Sequence, residues 1–456
     1  MAVETFLPDD DCVALTGSGG TAPSLALLVR PRSAPEAARS VLGRGARGVV
    51  ARGRGGACGD AAQNAGGTVL DLTGLDRIQG LDPREGVVVC EAGTGLDRLA
   101  RALLPHGWQP PLDLVAGPRP ARRRAGTVGG AISRGDLIGA VRSLELLTAD
   151  GAVTTVRPGD PLCDATTGGL GLTGVILSVA LALRPVETAY VRERSLPFRD
   201  ADALLAHWTG VDAPRGRHAR AWVELSGRGR AVLTTAEPVP YAGLPRGHRA
   251  RRAPLGLPSR PGPAGGLRAL PGLTRTRPLT PYGPGASGGL PAAPGSALLP
   301  RVLASLGRSG VVPVPGLAGP FVRYRCAVPE GREEALRGIL GLLAHRRSPA
   351  RGARHARVER VYADGADGAG PLAFPLRGWT LGFDAPAGAP GLGRFLDVLD
   401  ERVAAAGGRV CLAEDARLRP ALLPVMYPRL DAFRGLRASL DPRSLFRSDL
   451  SRRLGL

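Results

Sequence analysis

A glycine-rich stretch directly after a short apolar run is the feature that most restricts how this chain can fold. Residues 48–51 look like the end of a buried strand, and glycines follow at 53, 55, 56 and 59. Closely spaced glycines let the backbone turn tightly and bring its N–H groups towards an anion, beside the positive charges of Arg52 and Arg54. The spacing is not G-x-G-x-x-G and no long amphipathic helix follows, which argues against a Rossmann fold. We predict a diphosphate-binding loop, with a Gly-rich surface turn as the alternative.

Composition and charge exclude several classes of protein. The net charge is +20, but all 60 basic residues are arginines scattered along the chain without alternating aromatics, so we expect no nucleic-acid partner. The six cysteines lie far apart and form no C-x-x-C, which predicts neither a disulfide framework nor a metal site and fits a reducing cytoplasm. The most apolar run, 170–183, is too short and too interrupted for a transmembrane segment. Peripheral membrane contact stays open.

Local patterns predict an α+β first domain over residues 1–187. Ser33-Ala-Pro-Glu36 is a capping box with proline in the first turn, so a helix should run over 34–43. Leucines and alanines at helical spacing predict a second helix over 96–104. The strands that we expect in this domain are 48–51, 68–72, 87–91, the hairpin of 144–147 with 153–156, and 172–183.

A second, substrate-binding domain is predicted over 188–408, built on an antiparallel sheet. Strands are expected over 219–235, 321–328 and 379–384, and helices over 330–345 and 392–406. Residues 238–300 are rich in Pro, Gly and Arg, and we predict a long mobile loop there. Residues 409–456 should return to the first domain.

Several phrases in one order carry a family resemblance. They are Arg52-Gly-Arg-Gly-Gly-Ala-Cys-Gly-Asp60, Thr127-Val-Gly-Gly-Ala-Ile132, Gly171-Leu-Thr-Gly-Val-Ile176 and Asp441-Pro-Arg-Ser-Leu-Phe446. Together they resemble the PCMH-type FAD-binding fold of the vanillyl-alcohol-oxidase superfamily, and most of all its decaprenylphosphoryl-ribose oxidase family. The resemblance implies a two-domain flavoprotein with noncovalently bound FAD that oxidises a secondary alcohol of a sugar-like, lipid-linked or phosphorylated substrate. It leaves open whether a partner reductase completes an epimerisation.

The resemblance also implies where cofactor and substrate bind. Trp222, Arg323, Arg325 and Arg360 fall at its substrate positions, and the three arginines indicate a pocket for an anionic group. Glu414 and Asp415 are the candidate catalytic proton acceptors, with a salt bridge to an arginine as the alternative role. The predicted cofactor-binding residues are Ala51, Arg52, Gly53, Arg54, Gly55, Gly56, Ala57, Cys58, Gly59, Asp60, Thr127, Val128, Gly129, Gly130, Ile176 and Cys411.

The chain departs from the family at the expected active site. An Asp-x-His-Gly-Lys-Asn phrase of the family has no counterpart after Ile132, two family tyrosines are Cys58 and Cys411, and an active-site lysine is Glu414. Reversing that charge should change the substrate or the mechanism. A thiol near arginines could be reactive or attached to flavin, whereas an apolar filler is the simpler role of Cys58. A catalytically degraded subunit with a structural or partner-binding role is therefore the alternative to an oxidoreductase.

Overall fold

The computed structural model describes residues 12–43, 45–111, 126–188, 190–210, 218–225, 229–243, 319–362 and 370–456, and the backbone of 274–278. The strands are β1 (Cys12–Leu15), β2 (Ser24–Val29), β3 (Val49–Arg52), β4 (Thr68–Asp71), β5 (Ile78–Asp82), β6 (Val87–Glu91), β7 (Trp108–Gln109), β8 (Val141–Leu147), β9 (Val153–Val156), β10 (Val175–Ala182), β11 (Arg184–Pro185), β12 (Tyr190–Phe198), β13 (His218–Glu224), β14 (Ala231–Pro238), β15 (Thr274–Pro278), β16 (Phe321–Pro329), β17 (His355–Val361), β18 (Gly378–Pro386) and β19 (Arg409–Val410). The helices are α1 (Ala34–Leu42), α2 (Leu96–Leu103), α3 (Val128–Arg134), α4 (Pro161–Thr166), α5 (Ala201–Thr209), α6 (Glu333–Ala344), α7 (Leu392–Ala405), α8 (Leu423–Met426), α9 (Leu430–Leu440) and α10 (Asp449–Leu454).

The first sheet carries the glycine loop at one strand end. Its order is β1-β2-β4-β3, with β2 and β3 both parallel to β4. Helix α1 makes the crossover between β2 and β3 and begins where predicted, because Ser33 Oγ accepts a hydrogen bond from Glu36 N at 3.4 Å. Ala37 and Val41 on its inner face pack with Val49 in one apolar cluster.

The second sheet is antiparallel and supports the other side of the loop. Its order is β5-β6-β10-β8-β9, and β8 with β9 forms the predicted hairpin. Helices α2 and α3 cover this sheet: Leu99 and Ile132 are fully buried against Leu144 and Val179. Apolar burial of this kind stabilises the sheet by about 25 cal/mol per Å² removed from water.

The third sheet has eight strands in the order β15-β12-β14-β13-β17-β18-β16-β19, and neighbouring strands in it run antiparallel. Helices α5, α6 and α7 cover one face, where Leu204, Leu336 and Leu396 join the core with Ala221 and Val358 of the strands. Side chains alternate between the two faces of a strand, so the strand neighbours of these core residues, such as Trp222 and Arg357, lie on the opposite face. That face is charged. The predicted α+β class is confirmed.

The C-terminal segment packs against the first sheet. Val49 N donates to Leu445 O at 2.8 Å and Arg447 N donates to Val49 O at 3.0 Å, which extends the edge of β3 with a parallel bridge to Phe446. Phe446 is fully buried in the cluster beneath α1. These contacts support the return of residues 409–456 to the first domain, which stays a prediction.

The predicted mobile loop, 238–300, lies mostly outside the described residues. Within that range the structure describes a short turn at Tyr241–Gly243 and strand β15, which pairs with β12. The domain boundaries at 187 and 408 stay a prediction. Among the described residues, every helix is too short or too polar to cross a membrane.

Candidate functional site

The glycine loop forms one wall of a cleft at the end of β3. Residues 51–57 line it, and Gly55 has φ +67°, a conformation that glycine adopts without steric cost. The Arg52 guanidinium donates to Thr16 O at 2.6 Å and to Ala62 O at 3.0 Å, so it ties the residue after β1 to the segment that follows the loop. A Cβ on Gly55 would lie 2.3 Å from Arg52 Nη2. The left-handed backbone at Gly55, more than this contact, is what favours glycine there.

The N-terminal part of α3 forms the facing wall. Thr127 caps this helix, its Oγ1 accepting from Gly130 N at 3.2 Å. A Cβ on Gly53 would lie 2.3 Å from the same Oγ1, and one on Gly129 would lie 2.8 Å from Ala92 Cβ. Glycine at both places lets the loop, the helix and strand β6 approach with backbone exposed between them.

Positive charge and an apolar end give the cleft two different halves. Arg54 is held at its side by Asp97, whose Oδ1 lies 3.0 Å from Nη1. Arg134, which sequence reasoning missed, reaches the loop: its Nη1 is 3.6 Å from where a Cβ on Gly56 would be. It lies four residues after Gly130, on the same face of α3, a spacing that could have identified it. The apolar part is lined by Leu72, Leu170 and Ile176.

The cleft fits FAD on its own residues. Backbone N–H groups, glycines and three arginines suit a diphosphate, while the apolar part suits a flat ring system. Of the predicted cofactor-binding residues, the structure places on the cleft Ala51, Arg52, Gly53, Arg54, Gly55, Gly56, Ala57, Thr127, Gly129, Gly130 and Ile176.

Five predicted cofactor-binding residues lie away from this cleft, for physical reasons that differ. Val128 is fully buried beneath α3, and Gly59 is packed so tightly that a Cβ would lie 1.7 Å from Asp415 O. Asp60 is held by Arg453, with Nε and Nη2 each 3.0 Å from a carboxylate oxygen. The second half of the loop therefore joins the C-terminal segment instead of facing the cleft.

Cys58 and Cys411 are the other two, and both are buried. Cys58 Sγ lies 3.0 Å from Ser18 Oγ and packs on Phe321. Burial and the Glu414 carboxylate raise the pKa of the Cys58 thiol far above its ordinary value, and burial raises that of Cys411 to about 12. Both thiols stay protonated at neutral pH, which favours the role of apolar filler.

A row of residues across the third sheet forms the charged face next to this cleft. Trp222 of β13 pairs in register with Arg357 of β17, which pairs with Gly382 of β18, which pairs with Arg325 of β16. Paired residues of neighbouring strands lie on the same side of a sheet, so these four side-chain positions share one face. We call this row, from Trp222 to Arg325, the substrate row.

Glu359 is the acid at the centre of this face. Its Oε1 lies 2.6 Å from Arg220 Nε and 3.6 Å from Arg357 Nε, and its Oε2 lies 3.8 Å from Arg325 Nη2. Burial opposes its ionisation, but Arg357, Arg220 and Arg325 outweigh burial and lower the pKa of Glu359 well below its ordinary value. Glu359 therefore stays charged and orders the arginines around it.

The charged face is connected to the cleft through Asp136. Its Oδ2 accepts from Arg134 Nη2 at 2.6 Å, and its Oδ1 lies 4.0 Å from Arg325 Nη1. The Asp136 carboxylate is the main reason that the pKa of Arg134 lies above its ordinary value. One carboxylate thus links an arginine of the cleft to an arginine of the substrate row.

Arg323 and Glu414 lie at the other edge of this face. Arg323 makes a bidentate pair with Asp384, at 2.6 and 2.8 Å, and its Nη1 lies 3.9 Å from Glu414 Oε2. Glu414 ends a short turn whose preceding residue, Ala413, lines the cleft. Glu414 is therefore buried between the cleft and the charged face, and its role as a proton acceptor stays a prediction.

Asp415 has a structural role instead of facing the site. Its carboxylate accepts from Leu418 N at 3.0 Å and from Arg417 N at 3.1 Å, and Arg453 Nη2 lies 3.0 Å from its Oδ2. The salt bridge weighed from the sequence is what the structure contains. The carboxylate closes a turn and ties it to α10, which corrects the proposed catalytic assignment.

Arg360 is also corrected, because it points to the opposite face of the sheet. Its Nη1 donates to Trp208 O at 2.7 Å, its Nη2 lies 2.8 Å from Glu330 Oε1, and its guanidinium lies 5.3 Å from the Trp379 ring centre. Successive strand residues alternate between faces, so Arg360 cannot share a face with Arg357. Strand parity in β17 is the signal that would have selected Arg357.

Comparisons with known proteins agree with this geometry. The profile described as FAD binding domain matches residues 25–157. The chain is 32% identical to the decaprenylphosphoryl-beta-D-ribose oxidase of Mycolicibacterium smegmatis over 469 positions, which cover 97% of each protein. The chain therefore belongs to the PCMH-type family of FAD-binding oxidoreductases, and FAD is its cofactor.

Two further relatives differ in how much of the chain they match. An uncharacterized protein in the mprA 5′ region of Streptomyces coelicolor is 42% identical over 79% of this chain and its own full length. An alditol oxidase of a Streptomyces species is 30% identical over 34% of this chain and 40% of its own. The second match is confined to a part of each chain, so it supports kinship and not a shared substrate.

Proposed function

We propose that this protein is an FAD-dependent oxidoreductase that oxidises a secondary alcohol of a sugar-like substrate. The observation that carries the proposal is the junction of two surfaces. A glycine-lined cleft suited to a dinucleotide opens beside the substrate row, and Asp136 connects Arg134 of the first to Arg325 of the second. The name of one relative that matches along nearly its whole length, decaprenylphosphoryl-beta-D-ribose oxidase, supports a sugar as substrate.

The cofactor would be held without a covalent bond by the cleft residues. When bound, FAD supplies the hydride acceptor for alcohol oxidation. The loop at 53–57 and Gly130 would meet its diphosphate, with the charges of Arg54 and Arg134 on either side. Ile176 would contact the adenine end. The buried, protonated Cys58 supports noncovalent attachment because no thiolate is available at the cleft.

The substrate would lie between the cleft and the substrate row. Trp222, half-buried on β13, offers an aromatic surface to a sugar ring, and Arg325 with Arg357 offers charge to an anionic, phosphorylated or lipid-linked substituent. Glu414 is buried beside Arg323 and follows Ala413 of the cleft, and it is our candidate to accept the hydroxyl proton. Arg323, fixed by Asp384, would position Glu414.

The absorption spectrum of the purified protein tests this function most directly. We expect a yellow protein with flavin bands, thermal stabilisation by added FAD, and bleaching under anaerobic conditions by xylitol, sorbitol or an aldose. A colourless protein that FAD does not stabilise would refute the proposal.

A pair of glycine variants tests the cleft as the cofactor site. In Gly53→Ala the new Cβ would lie 2.3 Å from Thr127 Oγ1, so the two walls must separate, and we expect FAD to bind at least about tenfold more weakly. Gly45→Ala is the matched control, because a Cβ there has open space around it. Equal FAD affinities in the two variants would contradict the assignment.

A second candidate function is a structural or partner-binding flavoprotein subunit without turnover. The observation that favours it is Asp415, one of two candidate acids, which is bound by Arg453 and by backbone amides. Flavin that binds but is reduced by no sugar, polyol or aldonolactone would select this candidate. The six cysteines are all free thiols, which supports the cytoplasm as the compartment in either case.

A further inference from the structure

Arg134 reaches from one wall of the cofactor cleft to the other. Its Nη1 lies 3.6 Å from where a Cβ on Gly56 would be, and its Nη2 lies 3.7 Å from where one on Gly126 would be. Gly56 belongs to the glycine loop, Gly126 precedes the cap of α3, and all three residues line the cleft. Because both glycines lack a side chain, nothing from either of them covers the guanidinium.

One edge of this guanidinium is held and the other is open. Nε and Nη2 both donate to Asp136 Oδ2, at 3.0 and 2.6 Å. Within the part of the chain that the structure describes, Nη1 has no hydrogen-bond acceptor, and 23% of the side chain is exposed. A guanidinium nitrogen of this type carries two N–H groups. They are available to a molecule bound in the cleft.

Arg134 lies at the end of the cleft that meets the charged face. Its partner Asp136 lies 4.0 Å from Arg325 of the substrate row, and Ala413, which precedes Glu414, lines the same cleft. The Asp136 carboxylate and, to a lesser extent, the Glu414 carboxylate raise the pKa of Arg134 above its ordinary value, although burial opposes them. Arg134 therefore stays positively charged where the two surfaces join.

The chemistry of flavin decides which part of FAD lies at this end. The isoalloxazine ring accepts the hydride, so it must lie where the substrate can reach it, next to the charged face. This step rests on the proposed oxidase function. It places the ring, and not only the diphosphate, beside Arg134.

A fixed positive charge at this position favours reduction of the ring. A hydride brings two electrons and one proton, so the neutral ring gains one negative charge. A nearby cation stabilises this charged form more than the oxidised form, and a nearby carboxylate has the opposite effect. Arg134 and Asp136 should therefore act on the flavin in opposite directions.

We propose that Arg134 lies beside the isoalloxazine ring of bound FAD and makes the flavin easier to reduce, with Asp136 as its positioning residue. Arg134 would contact the cofactor through Nη1. Asp136 acts on the cofactor through Arg134, which it holds in place, and through its own charge, which limits the effect of the arginine.

The two-electron midpoint potential of the FAD-loaded protein tests this inference. Arg134→Gln removes one positive charge and should lower the potential by about 30 mV or more, the equivalent of a tenfold change in the equilibrium of a two-electron couple. Asp136→Asn removes one negative charge and should raise the potential. The potentials are measured by reduction with dithionite beside a reference dye, so they require no substrate.

Sulfite binding gives a second readout of the same charge. The sulfur of sulfite forms a bond to N5 of oxidised flavin and leaves one negative charge on the ring, and the loss of flavin absorbance reports its Kd. We expect a sulfite Kd about tenfold higher in Arg134→Gln and a lower one in Asp136→Asn. A merely structural disturbance of the cleft would move both variants in the same direction.

Arg77→Gln is the matched control. Arg77 makes the same kind of pair as Arg134, since its Nε and Nη2 donate to Glu91 Oε1 at 3.0 and 2.7 Å, but it is not among the residues that line the cleft. Its potential and its sulfite Kd should match those of the wild type.

Each other outcome has a definite meaning. An unchanged potential in Arg134→Gln, shifts of the same sign in Arg134→Gln and Asp136→Asn, or an equal shift in Arg77→Gln would overturn the inference. Equal losses of affinity for ADP and for FAD in Arg134→Gln, at an unchanged potential, would show that Arg134 contacts the diphosphate alone.

Failure of this inference and failure of the proposed function are distinguishable. If no sugar or polyol reduces the flavin, the proposed function fails, and opposite shifts of the potential in the two variants would still support Arg134 beside the ring. A flavin that sugars reduce, with a potential that neither variant changes, would refute the inference and leave the oxidase function standing. A protein that binds no FAD would refute both.

Discussion

The buried position of Asp400 on α7 predicts that the free energy of unfolding depends measurably on pH. Its side chain is 1% exposed, one carboxylate oxygen contacts Arg417 Nη2 in the segment that follows the site, and the other has no hydrogen-bond partner among the described residues. Burial outweighs the attraction of Arg417 and raises the pKa of Asp400 from 3.8 to about 6. The charged form is therefore disfavoured in the folded protein.

The direction and the size of this pH dependence follow from the linkage between proton binding and folding. A carboxyl whose pKa is raised by folding contributes stability at low pH, and this contribution is lost as the pH rises through the folded-state pKa. A shift of about two pKa units corresponds to about 3 kcal/mol in total. About half of it, roughly 1.4 kcal/mol, should be lost between pH 5 and pH 8, because the remainder is lost below pH 5.

Asp400→Asn is the perturbation that isolates this effect. Asparagine keeps the shape and cannot ionise, so the free energy of unfolding of the variant, measured by urea denaturation, should lack this 1.4 kcal/mol of pH dependence. The wild-type minus variant difference should thus fall by about 1.4 kcal/mol from pH 5 to pH 8. A difference that is flat across this range, or that rises with pH, would refute the argument that burial outweighs Arg417.

Three further predictions concern the loop and its contact with the C-terminal segment. Arg453→Gln removes the shared partner of Asp60 and Asp415, and should lower the free energy of unfolding by about 2–4 kcal/mol in a urea titration, whereas a loss under 0.5 kcal/mol would contradict the pairing. Iodoacetamide at pH 8 should modify the half-buried Cys12 well before Cys58, because burial keeps the Cys58 thiol protonated; mass spectrometry of the native protein checks the order. Gly48→Ala places a Cβ 2.3 Å from Leu445 O at φ +75° and should lower Tm by several degrees, a result that an unchanged melting curve would exclude.

The sequence predicted most of the helices, strands and turns whose backbone conformation is favoured by the residues within them. Helix α1 begins at its capping box, the loop bends where glycines permit it, and strands β6 and β16 follow their apolar runs. The cofactor was predictable for the same reason, since a diphosphate-binding loop is a contiguous piece of chain. Arg134 escaped notice because an arginine at a helix end carries no local signal of what it reaches.

For the substrate row, the sequence indicated candidate substrate-binding residues but not how they are arranged in space. Trp222 and Arg325, predicted to bind substrate, lie together on the charged face, whereas Arg360 lies on the other face and Arg357 takes the position beside Trp222. Arg357 and Arg360 are the same type of residue on the same strand and differ only in the face of the sheet on which they lie. That face is decided by the register of β17 against β13 and β18.

The sequence by itself determined the α+β class, the glycine loop and the flavin family, because these depend on short segments whose backbone geometry is set by neighbouring residues. Only the tertiary structure decided which charges meet. Arg453 pairs with Asp60 across 393 residues of chain, and Asp136, in the turn after α3, lies 4.0 Å from Arg325 of β16. Such pairings depend on how whole sheets pack against one another, so no local pattern encodes them.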